Sequence, residues 1–200
     1  MRRQKWLIDK VEWDVLIVLD ACRFDVFKRL YGNRFNVEPV ISAGTCTPEW
    51  FCRTWQGRRK DTIYVSGNPT ITSRPITLIG FYIDAPFIFY RVYDCWNIGW
   101  KKVGYAWTVN PHYVCEFALS VLKAYPDKKV VVHLLQPHTP YPTVPELARY
   151  FTPDLRNADK PFWEALKNGE IPLDLVRRGY EDNLKWAMDA VFKMLARLRG

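Results

Sequence analysis

The stretch Val15-Leu16-Ile17-Val18-Leu19-Asp20-Ala21-Cys22-Arg23-Phe24-Asp25 decides how the chain is read. Five aliphatic residues run straight into an acid, and helical spacing begins at once. A short unbroken apolar run bounded by polar residues reads as a strand buried on both faces, as in a parallel sheet. Open α/β sheets place their ligands outside the carboxyl ends of such strands, which is where Asp20 falls. A helix N-cap for the segment after it is the plainer use of the same residue.

Working outward, the strand over 14–20 is followed by a helix over 21–31, with Phe24, Phe27 and Leu30 or Tyr31 on one face and Gly32 as its stop. Residues 36–42 form a second short extended segment. Thr45-Cys46-Thr47-Pro48-Glu49-Trp50 then reads as the start of a helix, since Pro suits the first helical position and Glu the first turn. A third strand covers 62–66. Residues 70–107, aromatic and broken by Pro75 and Pro86, are expected to be irregular loops and short strands over one end of the sheet. Pro111 opens a helix to Tyr125, Lys129 to Leu135 is the clearest strand after the first, and 136–160 is a Pro-rich loop. Loops of that length in a compact domain are often functional. A long amphipathic helix over 173–198 closes the chain. Alternating strands and helices give an α/β fold, with a mainly parallel sheet and helices on both faces, in one domain over 1–200.

Bulk composition narrows less. At 200 residues, 48% hydrophobic and 25% charged, the chain has the makeup of a globular protein able to bury a core. Its net charge of +8 permits attraction to anions of any size without choosing among them. No stretch reaches the ~18 apolar residues of a membrane span, so a soluble, cytoplasmic protein is the default expectation. The 5 cysteines are an odd number with no Cys-x-x-Cys spacing, which argues against a zinc ribbon and a complete disulfide framework.

Three elements could carry chemistry. Asp20 can hold a metal or orient a nucleophile. Thr45, Cys46 and Thr47 stand at a helix N-terminus, whose positive end favours anions and activates a nucleophile; ordinary N-capping by either Thr is the bland alternative. In His133-Leu134-Leu135-Gln136-Pro137-His138-Thr139-Pro140-Tyr141, His133 lies within the apolar run and reads as a hydrogen-bonded core histidine. His138, between two prolines past the strand end, is the functional candidate.

Together these elements resemble the alkaline phosphatase and sulfatase superfamily, in particular small archaeal sulfatase-like proteins that open with a strand and Asp-Ala-Cys-Arg. Asp20 matches the family's first metal-binding aspartate. Cys46-Thr47-Pro48 matches the start of Cys-x-Pro-x-Arg, whose Cys becomes formylglycine, and related phosphatases use Ser or Thr there. Gln136-Pro137-His138-Thr139-Pro140-Tyr141 is similar to the Pro-His-x-Pro segment whose histidine reaches the ester. Trp50 stands in the motif's Arg position, so the nucleophile is open between an unmodified Cys46 and a neighbouring Thr. The family's remaining metal ligands, an Asp-His-Gly segment and a later His, follow the final helix, whereas all three histidines here precede it.

The resemblance thus implies an alkaline phosphatase-like but incomplete fold, and metal-assisted hydrolysis of small phosphate or sulfate esters, with activity of the isolated chain in question. Asp20 would hold a divalent ion (Zn, Ca, Mg or Mn). Cys46, Thr47 and His138 would be catalytic, and Arg23, Thr45 and His138 would bind substrate. A free sheet edge suggests a homodimer. The competing expectation is a non-catalytic basic module for anionic partners, nucleic acid or an acidic surface. It ranks second because the basic residues are scattered and no nucleic-acid motif is present.

Overall fold

In the computed structural model, residues 1–199 are described. The chain runs β1 (Arg2–Arg3), α1 (Gln4–Lys10), β2 (Val15–Asp20), α2 (Phe24–Tyr31), β3 (Val40–Ile41), α3 (Thr47–Thr54), β4 (Arg59–Ser66) and the hairpin β5 (Ile76–Leu78) with β6 (Phe81–Ile83). It continues through α4 (Ala85–Ile88), β7 (Phe89–Asp94), α5 (Cys95–Gly99), the hairpin β8 (Trp100–Val103) with β9 (Ala106–Val109), α6 (Pro111–Ala124) and β10 (Lys129–Pro137). A 3-10 turn over Pro145–Tyr150, α7 (Lys160–Lys167) and α8 (Leu173–Arg199) follow.

The central sheet has the order β2-β10-β4-β7, and every neighbouring pair is parallel. Side chains alternate across it, as the pleat requires. Ile17, Leu19, Ile63, Val65, Val130, Val132 and Leu134 pack in one cluster with residues of α6 and α8, including Val114, Ala118, Leu184 and Val191. Leu16, Val18, Tyr64 and Val131 belong to a second cluster with Trp50, Phe51 and Trp55 of the α3 region. Helices therefore cover both faces, which is why β10 reads as one apolar run, buried from Val130 to Pro137. A third, smaller cluster of Tyr141, Val144, Leu147, Phe162, Ala165 and Ile171 folds the segment after β10 onto itself.

One sequence expectation needs correction. Residues 70–107 are not only irregular cover: Phe89–Asp94 is the fourth strand of the central sheet. Phe89 and Val92 are buried while Tyr90 and Arg91 face out, so an edge strand with a charge and a tyrosine on its open side hid among aromatic loop residues. The 136–160 segment is a loop as expected, held by its own aromatic cluster and carrying a 3-10 turn over Pro145–Tyr150, with α7 beginning at its end.

Because the strands are parallel, Asp20, Ser66, Asp94 and Pro137 all end on one rim. Gly67 fits there because its N–H donates to the His133 carbonyl at 2.7 Å, and a Cβ would sit 2.8 Å from that oxygen.

Candidate active site

On this rim a cleft of about 810 Å³ is lined by all the residues singled out from sequence: Asp20, Arg23, Thr45, Cys46, Thr47 and His138. His133, Trp50, Phe24 and Trp163 complete its wall and floor.

Asp20 ends β2 and its side chain falls on the α3 face of the sheet. Thr47 Oγ1 donates to its carboxylate, 3.2 and 3.1 Å from the two oxygens, and the Asn68 amide donates to Oδ2. The next residue, Ala21, has φ 57°, a left-handed conformation that L-residues seldom adopt. Tyr180 of α8 splints this turn: its hydroxyl donates to the Ala21 carbonyl at 2.9 Å and accepts from the Arg23 N–H at 2.7 Å. Burial raises the Tyr180 hydroxyl well above its usual pKa, so it stays protonated and able to donate.

Cys46 is the N-cap of α3, in extended conformation, and its side chain makes no capping hydrogen bond. Glu49 of the first turn reaches back instead to the residue before the cap. Glu49 Oε2 accepts the Thr45 N–H at 2.7 Å and the Thr45 hydroxyl at 3.0 Å, which lowers the Glu49 pKa. Thr45 is thereby engaged with Glu49, while Cys46 and Thr47 are left at the positive end of the helix. Gly44 lets the chain pass against the Trp50 backbone, where a Cβ would clash. Arg23 turns its guanidinium to Asp25, with Nε at 3.0 Å and Nη2 at 2.7 Å, in an exposed pair at the cleft mouth. The neighbouring Cys22 thiol is pushed up to about 12 by burial, which removes it as a thiolate nucleophile at neutral pH.

His138 and His133 sit in different surroundings. His138 lies one residue past β10, between cis Gln136-Pro137 and Thr139-Pro140 bonds. Its Nδ1 is 3.0 Å from both the Thr139 carbonyl and the Thr139 hydroxyl. That hydroxyl donates to Asp159, which also accepts the Trp163 indole N–H at 2.8 Å. From α8, the buried Asn183 amide donates to the His138 and Pro140 carbonyls at 2.8 and 2.9 Å and pins the loop. His133 is fully buried, with Nδ1 2.7 Å from the Tyr64 hydroxyl, as expected for a core histidine. Its Nε2 has no protein partner, and the ring packs against Trp50 with centroids 5.6 Å apart. Burial lowers the His133 pKa, the nearby Asp20 charge opposing it.

Sequence reasoning missed Asn68, Asp159, Trp163, Tyr180 and Asn183. Only Asn68 carried a local signal, since it follows a strand end in Gly67-Asn68-Pro69. Asp159, Asn183 and Tyr180 reach groups 20, 43 to 45 and 157 to 159 positions away, Trp163 backs Asp159 from four positions on, and no spacing rule links these four to the rim.

Among the described residues no three His, Cys, Asp or Glu side chains converge as a metal site. At the rim, Asp20 offers one carboxylate beside the Thr47 hydroxyl, and its oxygens already accept from Thr47 and Asn68. Divalent ions take four or more donors, so these residues do not by themselves fit a resident cation. No helix among the described residues is long and apolar enough to cross a membrane.

Fold and site together define an α/β protein with a parallel sheet and a polar cleft at the carboxyl ends of its strands. Comparison of the chain with family models, curated proteins and solved structures finds no match.

Proposed function

We propose that the chain is an alkaline phosphatase-like protein whose cleft binds phosphate or sulfate monoesters and transfers the phosphoryl or sulfuryl group. The observation that carries this reading is the convergence of Asp20, the Cys46-Thr47 helix start and His138, three elements more than 100 residues apart in total, on one cleft. The positive end of α3 suits the anionic head of such an ester.

In this mechanism Asp20 orients the Thr47 hydroxyl, whose hydrogen bond it already accepts. Thr47 Oγ1 attacks phosphorus or sulfur and forms the enzyme ester as the bond to the leaving oxygen breaks; the hydroxyl proton passes to Asp20. His138 protonates the leaving oxygen, so an alcohol departs. Water then hydrolyses the enzyme ester. Thr47 is favoured over Cys46 because it alone has a carboxylate partner. A divalent ion, if the reaction uses one, would have to draw donors beyond Asp20 and Thr47, and no step here runs through it.

The test is hydrolysis of phenyl phosphate and phenyl sulfate across a panel of divalent metals, with the fold monitored by circular dichroism. Turnover that Asp20→Asn and Thr47→Val both abolish supports the reading. A well-folded chain with no turnover under any condition contradicts it.

A further inference from the structure

His138 faces three oxygens on its loop side, and their chemistry fixes where its proton must be. The Thr139 carbonyl, 3.0 Å from Nδ1, can only accept. Asp159 accepts the single proton of the Thr139 hydroxyl, so that hydroxyl, also 3.0 Å from Nδ1, presents a lone pair to the ring. Asp159 Oδ2 itself lies 3.9 Å from Nδ1. Every neighbour of Nδ1 is therefore an acceptor, and no described protein group bonds Nε2.

We infer that Asp159 and Thr139 form a positioning relay that holds a proton permanently on Nδ1 of His138, leaving Nε2 as the atom that loads and delivers protons in the cleft. Thr139 is buried, and Trp163 donates its indole N–H at 2.8 Å to the same Asp159 oxygen, Oδ2, that accepts from Thr139, which steadies the carboxylate in the relay. Asp159 is thus a positioning residue that acts through His138, its carboxylate aligned with the imidazolium formed when Nε2 takes up a proton. Delivery of that proton to the leaving oxygen rests on the ester-transfer reading above; the tautomer does not.

Long-range ¹⁵N–¹H correlation spectra of the unliganded full chain read the tautomer directly. The wild type is expected in the Nδ1–H form, with Nε2 showing the shift of an unprotonated ring nitrogen. Loss of a charge-assisted hydrogen bond is worth about tenfold. Thr139→Val and Asp159→Asn should each lower the Nδ1–H to Nε2–H ratio about tenfold, while Thr139→Ser retains it. A wild type in the Nε2–H form, or a ratio indifferent to both Thr139→Val and Asp159→Asn, overturns the relay. Kinetics separate the second half. With phenyl phosphate, which needs its leaving oxygen protonated, Asp159→Asn should reduce kcat about tenfold or more. With 4-nitrophenyl phosphate, whose leaving group departs as an anion, it should change little. Equal losses on both substrates overturn proton delivery. A chain that turns over neither ester overturns the ester reading and, with it, proton delivery, while the spectra still decide the relay.

Discussion

The two histidines of the β10 segment, five residues apart, are held by opposite means. His133 belongs to the sheet: its ring is sealed between Trp50 and Tyr64, and burial keeps it neutral. His138 belongs to the loop, partly open to the cleft and oriented by Thr139, Asp159, Trp163 and Asn183. Thr139, Asp159 and Trp163 belong to the segment after β10, which has its own small core around Phe162, and Asn183 reaches in from α8. The contrast teaches that a rigid strand end brings reactive groups to a rim, whereas the fine orientation of a side chain there is supplied by a separate layer of structure.

The widest difference should appear in stability. Phe51 is 1% exposed under the sheet and Phe162 is 0% exposed in the loop cluster. Phe51→Ala should destabilise the whole chain by about 3–5 kcal/mol, measured by denaturant unfolding. Phe162→Ala should instead raise amide exchange over residues 141–172 and leave β2, β4 and β10 protected. Equal loss of protection in the sheet would erase the distinction drawn here.

A narrower effect is expected at the His133 pair. Tyr64→Phe leaves the buried His133 Nδ1 without its hydrogen-bond partner and should cost about 1–3 kcal/mol, with no change in His138 tautomer. The same pair sets a pH dependence. The folded pKa of His133 lies below its unfolded value of 6.5, so the unfolded chain binds the proton more readily. Stability is then complete above that value and falls as pH drops below it. His133→Gln should flatten this slope in urea titrations between pH 5 and 7. An unchanged slope would mean that other groups set it.

The smallest effect should be at the surface tie between α2 and α8, where Arg29 Nη2 lies 2.6 Å from Glu181. Arg29→Ala should cost only about 0.2–1 kcal/mol and less in high salt, leaving both histidines unaltered.

The parallel core was legible because burial on both faces leaves a nearly continuous aliphatic run in Val130 to Leu135, and Val15 to Leu19 reads the same way although β2 is an edge strand whose residues are only half-buried. The rim was legible for the same reason, since an acid or a Pro-flanked histidine after such a run must lie at a strand end. Phe89–Asp94 escaped because this edge strand has consecutive exposed residues, Tyr90 and Arg91, between buried Phe89 and Val92, so no two-residue period shows, and it sits beside Pro86. The α7 helix escaped because its start at Asp159-Lys160-Pro161 reads equally as the tail of a proline-rich loop. Asp159 and Tyr180 could not be seen at all: they reach partners 20 and 157 to 159 positions earlier in the chain, through contacts that only the packed segment creates.

The central claim is that the rim cleft recognises a tetrahedral oxyanion. It is tested most directly by titrating inorganic phosphate and sulfate into the isotope-labelled chain and mapping the resonances that move. Saturable shifts centred on Asp20, Cys46, Thr47 and the His138 ring are the predicted result. No saturable shift in the cleft, or salt-sensitive shifts spread over basic residues elsewhere, would contradict it.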